Sequence, residues 1–262
     1  MSGIEGRTAL VTGGGSGIGM ATAARLATDG AIVTICGRTE SKLVDAAMSM
    51  RDRVGAEIRH VVADVTIEDH IRRAVAFAAE PADGLDILFA NAGGSYHMGS
   101  IADADLDAVR ATIDVNLVGT VLSIKHAVPA MESRGGAIVG MSSGAGHFPH
   151  RFLPIYGAAK AGIEMLCKYA AEEFGDRGVR VNCVQPGIIA DELMAPITAG
   201  GALLDDYLEQ MPTGRVGSVD DVATVVRFLV DPASAWLTGA CVPIDGGHHL
   251  RRGANYQLLF GG

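Results

Sequence analysis

Thr8-Ala-Leu-Val-Thr-Gly-Gly-Gly-Ser-Gly-Ile-Gly19 sets a short apolar run directly against a cluster of glycines. Val11-Thr-Gly13 reads as the end of a first strand, and Gly17-Ile-Gly19 as the opening of an Ala-rich helix. The glycines let the backbone turn tightly and approach a ligand. The helix N-terminus presents unpaired N–H groups to an anion such as a pyrophosphate. A G-x-x-x-G-x-G string elsewhere is weak evidence, and a merely structural turn is the competing reading. Placed between an N-terminal strand and a helix, the string argues for dinucleotide binding.

Outward from this stretch, short apolar runs alternate with longer amphipathic segments. Thr8–Thr12, Ala31–Cys36, Ile58–Ala63 and Asp86–Ala90 read as the first four strands, and Ala137–Met141, Val179–Val184 and Ala240–Ile244 as three more. Helical stretches fall near 17–29, 40–53, 67–80, 103–131, 155–175 and 219–230. This alternation predicts βαβ units and a parallel sheet covered on both faces. Pro243 cannot donate a ladder hydrogen bond, so the last strand belongs at a sheet edge. The less regular excursion over approximately 188–217 reads as a substrate-binding segment or lid. No linker interrupts residues 1–262, which read as one dinucleotide-binding and catalytic domain with a C-terminal tail over 248–262.

The net charge of −9 and the lack of a basic, aromatic-interleaved stripe argue against nucleic acid as partner. No apolar run reaches the ~18 residues of a membrane span, and the N-terminus lacks the order of a secretory signal. The expected setting is the cytoplasm. Cys36, Cys167, Cys183 and Cys241 form no C-x-x-C pair and read as inert core thiols. His147, His150, His248 and His249 lack a carboxylate or thiol at ligand spacing, so they read as loop and surface residues and no metal is expected.

Two further places carry chemistry. The second strand ends Ile35-Cys-Gly-Arg-Thr39, where an acid would favour a ribose diol and a base a 2′-phosphate. Arg38 therefore favours NADP(H), with a solvated turn residue as the alternative. Downstream, Tyr156-x-x-x-Lys160 follows Ser143 by thirteen residues. Four apart on a helix, the two side chains share a face. An ammonium beside a phenol would lower its pKa from ~10 and make Tyr156 an acid/base near neutral pH. Moving a hydride to or from a carbonyl carbon requires such a group.

With these motifs in view, the chain resembles the short-chain dehydrogenase/reductase family, in the group with the T-G-x-x-x-G-x-G loop. The resemblance spans Thr12 to Asp245-Gly-Gly247 through Asp64-Val65, Asn91-Ala-Gly93, Asn116, Ser143, Tyr156/Lys160 and Pro186-Gly187. It implies a Rossmann-type, doubly wound parallel sheet of about seven strands. It also implies roles: Gly13, Ser16, Gly17, Ile18 and Gly19 cradle the pyrophosphate, and Asp64 and Val65 flank the adenine. Asn91, Ala92 and Gly93 back the cofactor ribose, and Pro186, Gly187 and Ile189 lie along the nicotinamide end. Ser143 bonds the reacting oxygen, Tyr156 transfers its proton, and Lys160 holds the nicotinamide ribose. Asn116, a poor helix former inside a long helix, marks either a local irregularity or a water relay to Lys160.

Asp191 departs from the pattern, standing where the family often has a Thr that binds the nicotinamide carboxamide. A carboxylate accepts from the amide NH2 but cannot donate to its oxygen. The expected substrate lining, Gly94–Gly99, His147–Pro154 and Leu193-Met194 onward, is mostly apolar and aromatic. Two His residues and Arg151 are its candidate hydrogen-bond or anion contacts, with a surface position as the alternative for Arg151. It favours a carbonyl or secondary alcohol on a medium-sized apolar small molecule. The leading expectation is an NADP(H)-preferring carbonyl reductase or alcohol dehydrogenase, with the same chemistry on NAD(H) as alternative. A non-catalytic dinucleotide sensor would not need the Ser143/Tyr156/Lys160 set, and a nucleotide-sugar epimerase would need a longer C-terminal region. The resemblance further implies a homotetramer paired through helices 103–131 and 155–175 and through the last helix and edge strand. Small residues around Ala158–Leu166 and the exposed apolar edge at 240–244 agree with this, against a monomer whose tail covers that edge.

Overall fold

The computed structural model describes residues 3–192 and 194–260. Its strands are β1 (Thr8–Thr12), β2 (Ile32–Gly37), β3 (Arg59–Val62), β4 (Ile87–Ala90), β5 (Gly136–Met141), β6 (Val179–Pro186), β7 (Ile189–Ala190), β8 (Gly217–Ser218) and β9 (Cys241–Ile244). The helices are α1 (Gly17–Thr28), α2 (Glu40–Val54), α3 (Glu68–Ala79), α4 (Leu106–Ile113), α5 (Gly119–Met131), α6 (Gly144–His147), α7 (Pro154–Phe174), α8 (Ala195–Thr198), α9 (Ala202–Gln210) and α10 (Val219–Val230). Seven strands form one sheet in the order β3-β2-β1-β4-β5-β6-β9, and every neighbouring pair is parallel. The strand order reverses between β1 and β4, which opens a crevice at their carboxyl ends.

Alternation along the strands divides the core between the two faces. Ala9, Val11, Val33, Ile35, Ile87 and Phe89 pack with α1, α2 and α10. Leu10, Cys36, Leu88, Ala90 and Ile138 pack with α3, α5 and α7. Both faces are therefore dry, which is why the strands read as continuous apolar runs. β9 closes the sheet at one edge, where Pro243 sits opposite Gln185. Cys36, Cys167 and Cys183 are buried, and burial pushes the Cys36 thiol up to about 12.

The expected single helix over 103–131 is divided. Asp105 caps α4, its carboxylate accepting from the Asp107 and Ala108 amides, so the helix begins at Leu106 after a 3₁₀ turn over Ile101–Asp103. A π turn over Asp114–Val118 then separates α4 from α5. Its cause is Asn116. The side-chain amide donates to the Thr112 carbonyl at 2.7 Å, taking an acceptor from the helical ladder, and to Gly94 O at 2.6 Å. The backbone widens to accommodate this competing bond.

The excursion after β6 is ordered rather than loose. β7 and β8 pair as a two-residue parallel ladder at its two ends, and α8 and α9 lie between them. The tail continues through 3₁₀ turns at His248–Leu250 and Tyr256–Phe260. It packs on α9 and on the 149–151 turn, where Arg151 bridges Asn255.

Candidate active site

The turn after β1 is held by its neighbour across the crevice. Asn91, just beyond β4, donates through Nδ2 to Thr12 O at 2.9 Å and Gly13 O at 3.2 Å. In return Thr12 Oγ1 accepts from the Asn91 and Ala92 amides, both at 3.0 Å. Gly13 and Gly17 have φ of +65° and +52°, a region that strains any side-chain-bearing residue. A Cβ on Gly19 would lie 2.3 Å from Gly13 O and 2.7 Å from Asn91 Nδ2, so no larger residue fits beneath the turn.

These constraints aim the N-terminus of α1 into a cleft of about 500 Å³. Ser16 makes no side-chain cap there, and no acid occupies the first turn. The helix end therefore presents free N–H groups and its positive pole. A dinucleotide's phosphates fit this cradle.

The same cleft is lined by Gly13, Ser16, Gly17, Ile18, Gly19, Arg38, Asp64, Val65, Asn91, Ala92, Gly93, Ser143, Tyr156, Lys160, Pro186, Gly187 and Ile189. The fold thus gathers residues spread over 177 positions of sequence onto one side of the sheet. Asn116 alone among the anticipated site residues stands one layer behind. It is fully buried, and a Cβ on Gly93 would meet its Oδ1 at 2.5 Å and Lys160 Nζ at 3.1 Å. Leu193 lies outside the described residues.

At the reacting end, Lys160 is almost completely buried and donates from Nζ to Met141 O at 2.8 Å. Burial lowers its ammonium to about 8. Tyr156 keeps part of its surface open to the cleft, yet the protein around it pushes its phenol up to about 12. A hydrogen-bonding contact with Ser143 opposes this shift, while Tyr256 and Asp191 add to it. The Tyr156 pKa therefore moves opposite to the expectation that Lys160 lowers it. The ammonium stands 5.4 Å from the Tyr156 ring centroid and is bound to a carbonyl, so desolvation wins.

At the far end, Arg38 is exposed on the cleft rim. Burial would raise the Asp64 carboxyl, but Thr66, bonded to Asp64 Oδ1 through N and Oγ1 at 2.9 and 2.8 Å, outweighs it. The Arg38 charge adds to that pull, and the carboxyl is held below its usual value. The guanidinium and the carboxylate therefore face each other across the place expected for the adenosine.

Asp191 turns toward the glycine loop. Its Oδ1 accepts from Met194 N at 2.8 Å, and its Oδ2 lies 3.0 Å from where a Cβ on Gly17 would stand. The carboxylate thus lies beside the N-terminus of α1 and opposes its positive pole.

Several lining residues escaped the sequence reading. Tyr207 of α9 and Tyr256 of the tail both face the cleft. The expectation of surface histidines fails for His248, which is fully buried, whereas His150 lines the cleft as the reading of 147–154 anticipated. Neither the aromatic nature nor the spacing of Tyr207, Tyr256 and His248 signals that α9 and the tail meet beside one pocket.

The fold and this cleft define an α/β oxidoreductase of the dinucleotide-binding kind. A family model described as "Enoyl-(Acyl carrier protein) reductase" matches residues 13–249. The chain is similar to the trans-4-hydroxycyclohexanecarboxylate dehydrogenase of Sinomonas cyclohexanicum, at 36% identity over 92% of each chain. It is also similar to the cyclohexanol dehydrogenase of Rhodococcus sp. (strain TK6), at 38% identity over 93% of this chain and 96% of that one. A short-chain type dehydrogenase/reductase from Mycobacterium ulcerans superposes with a TM-score of 0.96 at 40% identity, over 99% of this chain and 95% of its own. The chain belongs to the short-chain dehydrogenase/reductase family and is an NAD(P)-dependent oxidoreductase.

The position of Asp191 has a measurable consequence. Two unit charges ~4 Å apart interact by ~1 kcal/mol even in bulk water. Asp191→Asn keeps an oxygen for Met194 N and removes the charge, so nicotinamide dinucleotides should bind about fivefold more tightly or better. Titration calorimetry reads this directly, and unchanged or weaker binding would mean the carboxylate does not oppose the phosphates.

Proposed function

We propose that the chain interconverts a secondary alcohol on a six-membered carbocyclic ring and the corresponding ketone, with NADP(H) favoured over NAD(H). The observation that carries this reading is the meeting of Ser143, Tyr156 and Lys160 in one cleft, between the glycine loop and an apolar end. That end is built from Leu153, Ile188, Ile197 and the ring faces of Tyr207 and Tyr256. The ring alcohols named for the two relatives supply the substrate class. The whole of 1–262 acts as one dinucleotide-binding and catalytic unit, with 188–217 as the substrate-binding segment and the tail of 248–262 contributing Tyr256 to the wall. The cytoplasm remains the proposed setting, with neither nucleic acid nor membrane as partner.

When bound, the nicotinamide cofactor supplies or accepts the hydride. The protein's part is to place the oxygen and manage its proton. The Ser143 hydroxyl bonds the substrate oxygen and holds it beside Tyr156. With its phenol near 12, Tyr156 is protonated at neutral pH and delivers a proton to the forming alkoxide in ketone reduction. Alcohol oxidation needs the phenolate and so gains as pH rises. Lys160 carries its ammonium below about pH 8 and holds the ribose hydroxyls in that state. Buried Asn116 positions Gly93 and Gly94 beneath it, and a water relay to Lys160 would start there.

For the cofactor, Arg38 offers the 2′-phosphate a guanidinium. NAD(H) is the competing reading, favoured by the Asp64 carboxylate that faces the same group. We also propose a homotetramer with two-fold axes. Val121 of α5, Met165 and Tyr169 of α7, Phe228 of α10 and Trp236 are all exposed, and the β9 edge is unpaired. Such apolar faces call for a partner.

Three outcomes test these points. Tyr156→Phe should lower ketone reduction by about 10²–10⁴-fold, the contribution of a positioned acid, while calorimetry still detects cofactor binding; wild-type turnover would remove Tyr156 from the proton's path. Arg38→Ala should weaken NADPH binding by roughly tenfold or more, as for a charge-assisted contact of about 1.5–3 kcal/mol, and leave NADH nearly unaffected. Equal losses would make Arg38 a surface residue. Light scattering after size exclusion should give about four times the 27.1 kDa of one chain; a monomer mass at micromolar concentration refutes the tetramer.

A further inference from the structure

The end of the cleft beyond Tyr156 is closed by polar groups that the reaction above does not use. His150, Tyr207 and Tyr256 all line it. Their rings meet with centroids 6.1 Å apart for His150–Tyr207, 6.4 Å for His150–Tyr256 and 6.1 Å for Tyr207–Tyr256. Buried His248 backs the group, 5.5 Å from His150 and 5.4 Å from Tyr207. The tail that brings in Tyr256 is anchored through Asp206, which pairs with Arg252 and accepts from Asn255 N at 2.9 Å. The wall is thus assembled from three distant parts of the chain and held in place.

Its hydrogen-bonding capacity follows from the contacts already made. His150 Nδ1 lies 3.2 Å from Phe148 O, and a carbonyl can only accept, so Nδ1 carries the proton. Burial lowers the imidazole to about 4, with Phe148 O opposing and His248 assisting, so the ring is neutral at pH 7. Its Nε2 is left as a lone-pair acceptor. The Tyr207 and Tyr256 hydroxyls lie 2.8 Å apart. One donates to the other, which leaves one phenolic proton of the pair uncommitted. The wall therefore offers one acceptor and one donor without charge. The cations on the cleft, Lys160 and Arg38, belong to the cofactor's side, whereas Asp191 and Glu192 line it as anions.

We propose that this wall recognises a second, uncharged hydroxyl on the substrate, across the ring from the carbinol that Tyr156 serves. A hydroxyl has a proton for His150 Nε2 and lone pairs for the tyrosine proton. A carboxylate has no proton for Nε2, would face its lone pair, and finds no cation there. The preferred substrate is accordingly a neutral ring diol or the matching hydroxyketone, not the hydroxy acid named for the Sinomonas relative. This rests on the ring-alcohol reading above.

The test compares kcat/KM for cyclohexanol, cis- and trans-cyclohexane-1,4-diol and trans-4-hydroxycyclohexanecarboxylate, with whichever nicotinamide cofactor the protein takes. One diol isomer should exceed cyclohexanol by about tenfold, the scale of one or two added hydrogen bonds, and the acid should fall below cyclohexanol. Replacing both tyrosines, as Tyr207→Phe with Tyr256→Phe, removes the donor without leaving either partner unpaired. In that protein the diol-to-cyclohexanol ratio should drop toward about two, the statistical factor for two equivalent carbinols, with the remainder carried by His150. His150→Leu should lower the same ratio by removing the acceptor, and it supplies the variant arm if the double variant does not fold. A wild-type ratio of two or less, an unchanged ratio in the variants, or an acid turned over as well as the diol would overturn the proposal. Turnover of cyclohexanol without diol preference refutes this inference alone. No turnover of any ring alcohol refutes the activity on which it rests, and the inference falls with it.

Discussion

The site depends on a tether between two strand ends. Four hydrogen bonds join the end of β1 to the residues just past β4: the Thr12 hydroxyl accepts from the Asn91 and Ala92 amides, and the Asn91 side chain donates to Thr12 O and Gly13 O. β1 and β4 flank the reversal of strand order and pair as far as Val11 and Phe89, and these bonds continue the link beyond the ladder at the crevice. With the tether in place, the Gly13 carbonyl sits too close to Gly19 for any side chain to intervene. The N-terminus of α1 is thereby fixed against the crevice. Every other group in the cleft is placed relative to that helix end.

Burial does most of the electrostatic work at the reacting centre. It raises the Tyr156 phenol and lowers the Lys160 ammonium, which brings the lysine toward neutrality near physiological pH. Both shifts come from removing charge from water rather than from pairing the two groups. Lys160 already spends one donor on Met141 O, so two of its three N–H bonds are left for other partners. The π turn behind it follows the same economy of contacts. Asn116 gives up a regular helix in order to hold the Gly94 backbone, and the Gly93 position against Lys160 is a consequence.

The substrate end is built differently from the cofactor end. The cofactor end consists of strand ends and one helix terminus, all short-range outcomes of the sheet. The substrate end joins the turn before α7, helix α9 and the final turns of the chain. Asp206 couples the last two through Arg252 and Asn255, and Tyr207, its neighbour in sequence, meets Tyr256 directly. The proposed substrate end therefore draws on less regular segments than the sheet, as where loops on a rigid scaffold carry function.

Much of this was legible in the sequence because it is local. An apolar run against a glycine cluster can only be a strand entering a tight turn, and a doubly buried strand must be apolar throughout. Those two facts determined the parallel sheet and the placing of Thr12 to Gly19, the missing N–H of Pro243 put β9 at an edge, and the four-residue spacing put Tyr156 and Lys160 on one helix face. Other features depend on distances between residues far apart in the chain, and tertiary structure alone decided them. Asn116 could be read in sequence as a local helix irregularity, but nothing there signals that its amide also holds the Gly94 carbonyl, twenty-two residues away. Asp191 read as a failed carboxamide clamp, and only packing shows its carboxylate above Gly17. Likewise, His248 read as a surface residue for want of a ligand partner nearby in sequence, yet the returning tail buries it beside His150 and Tyr207. Periodicity records which side of an element meets the core. It carries no record of which distant element supplies the other half of a contact.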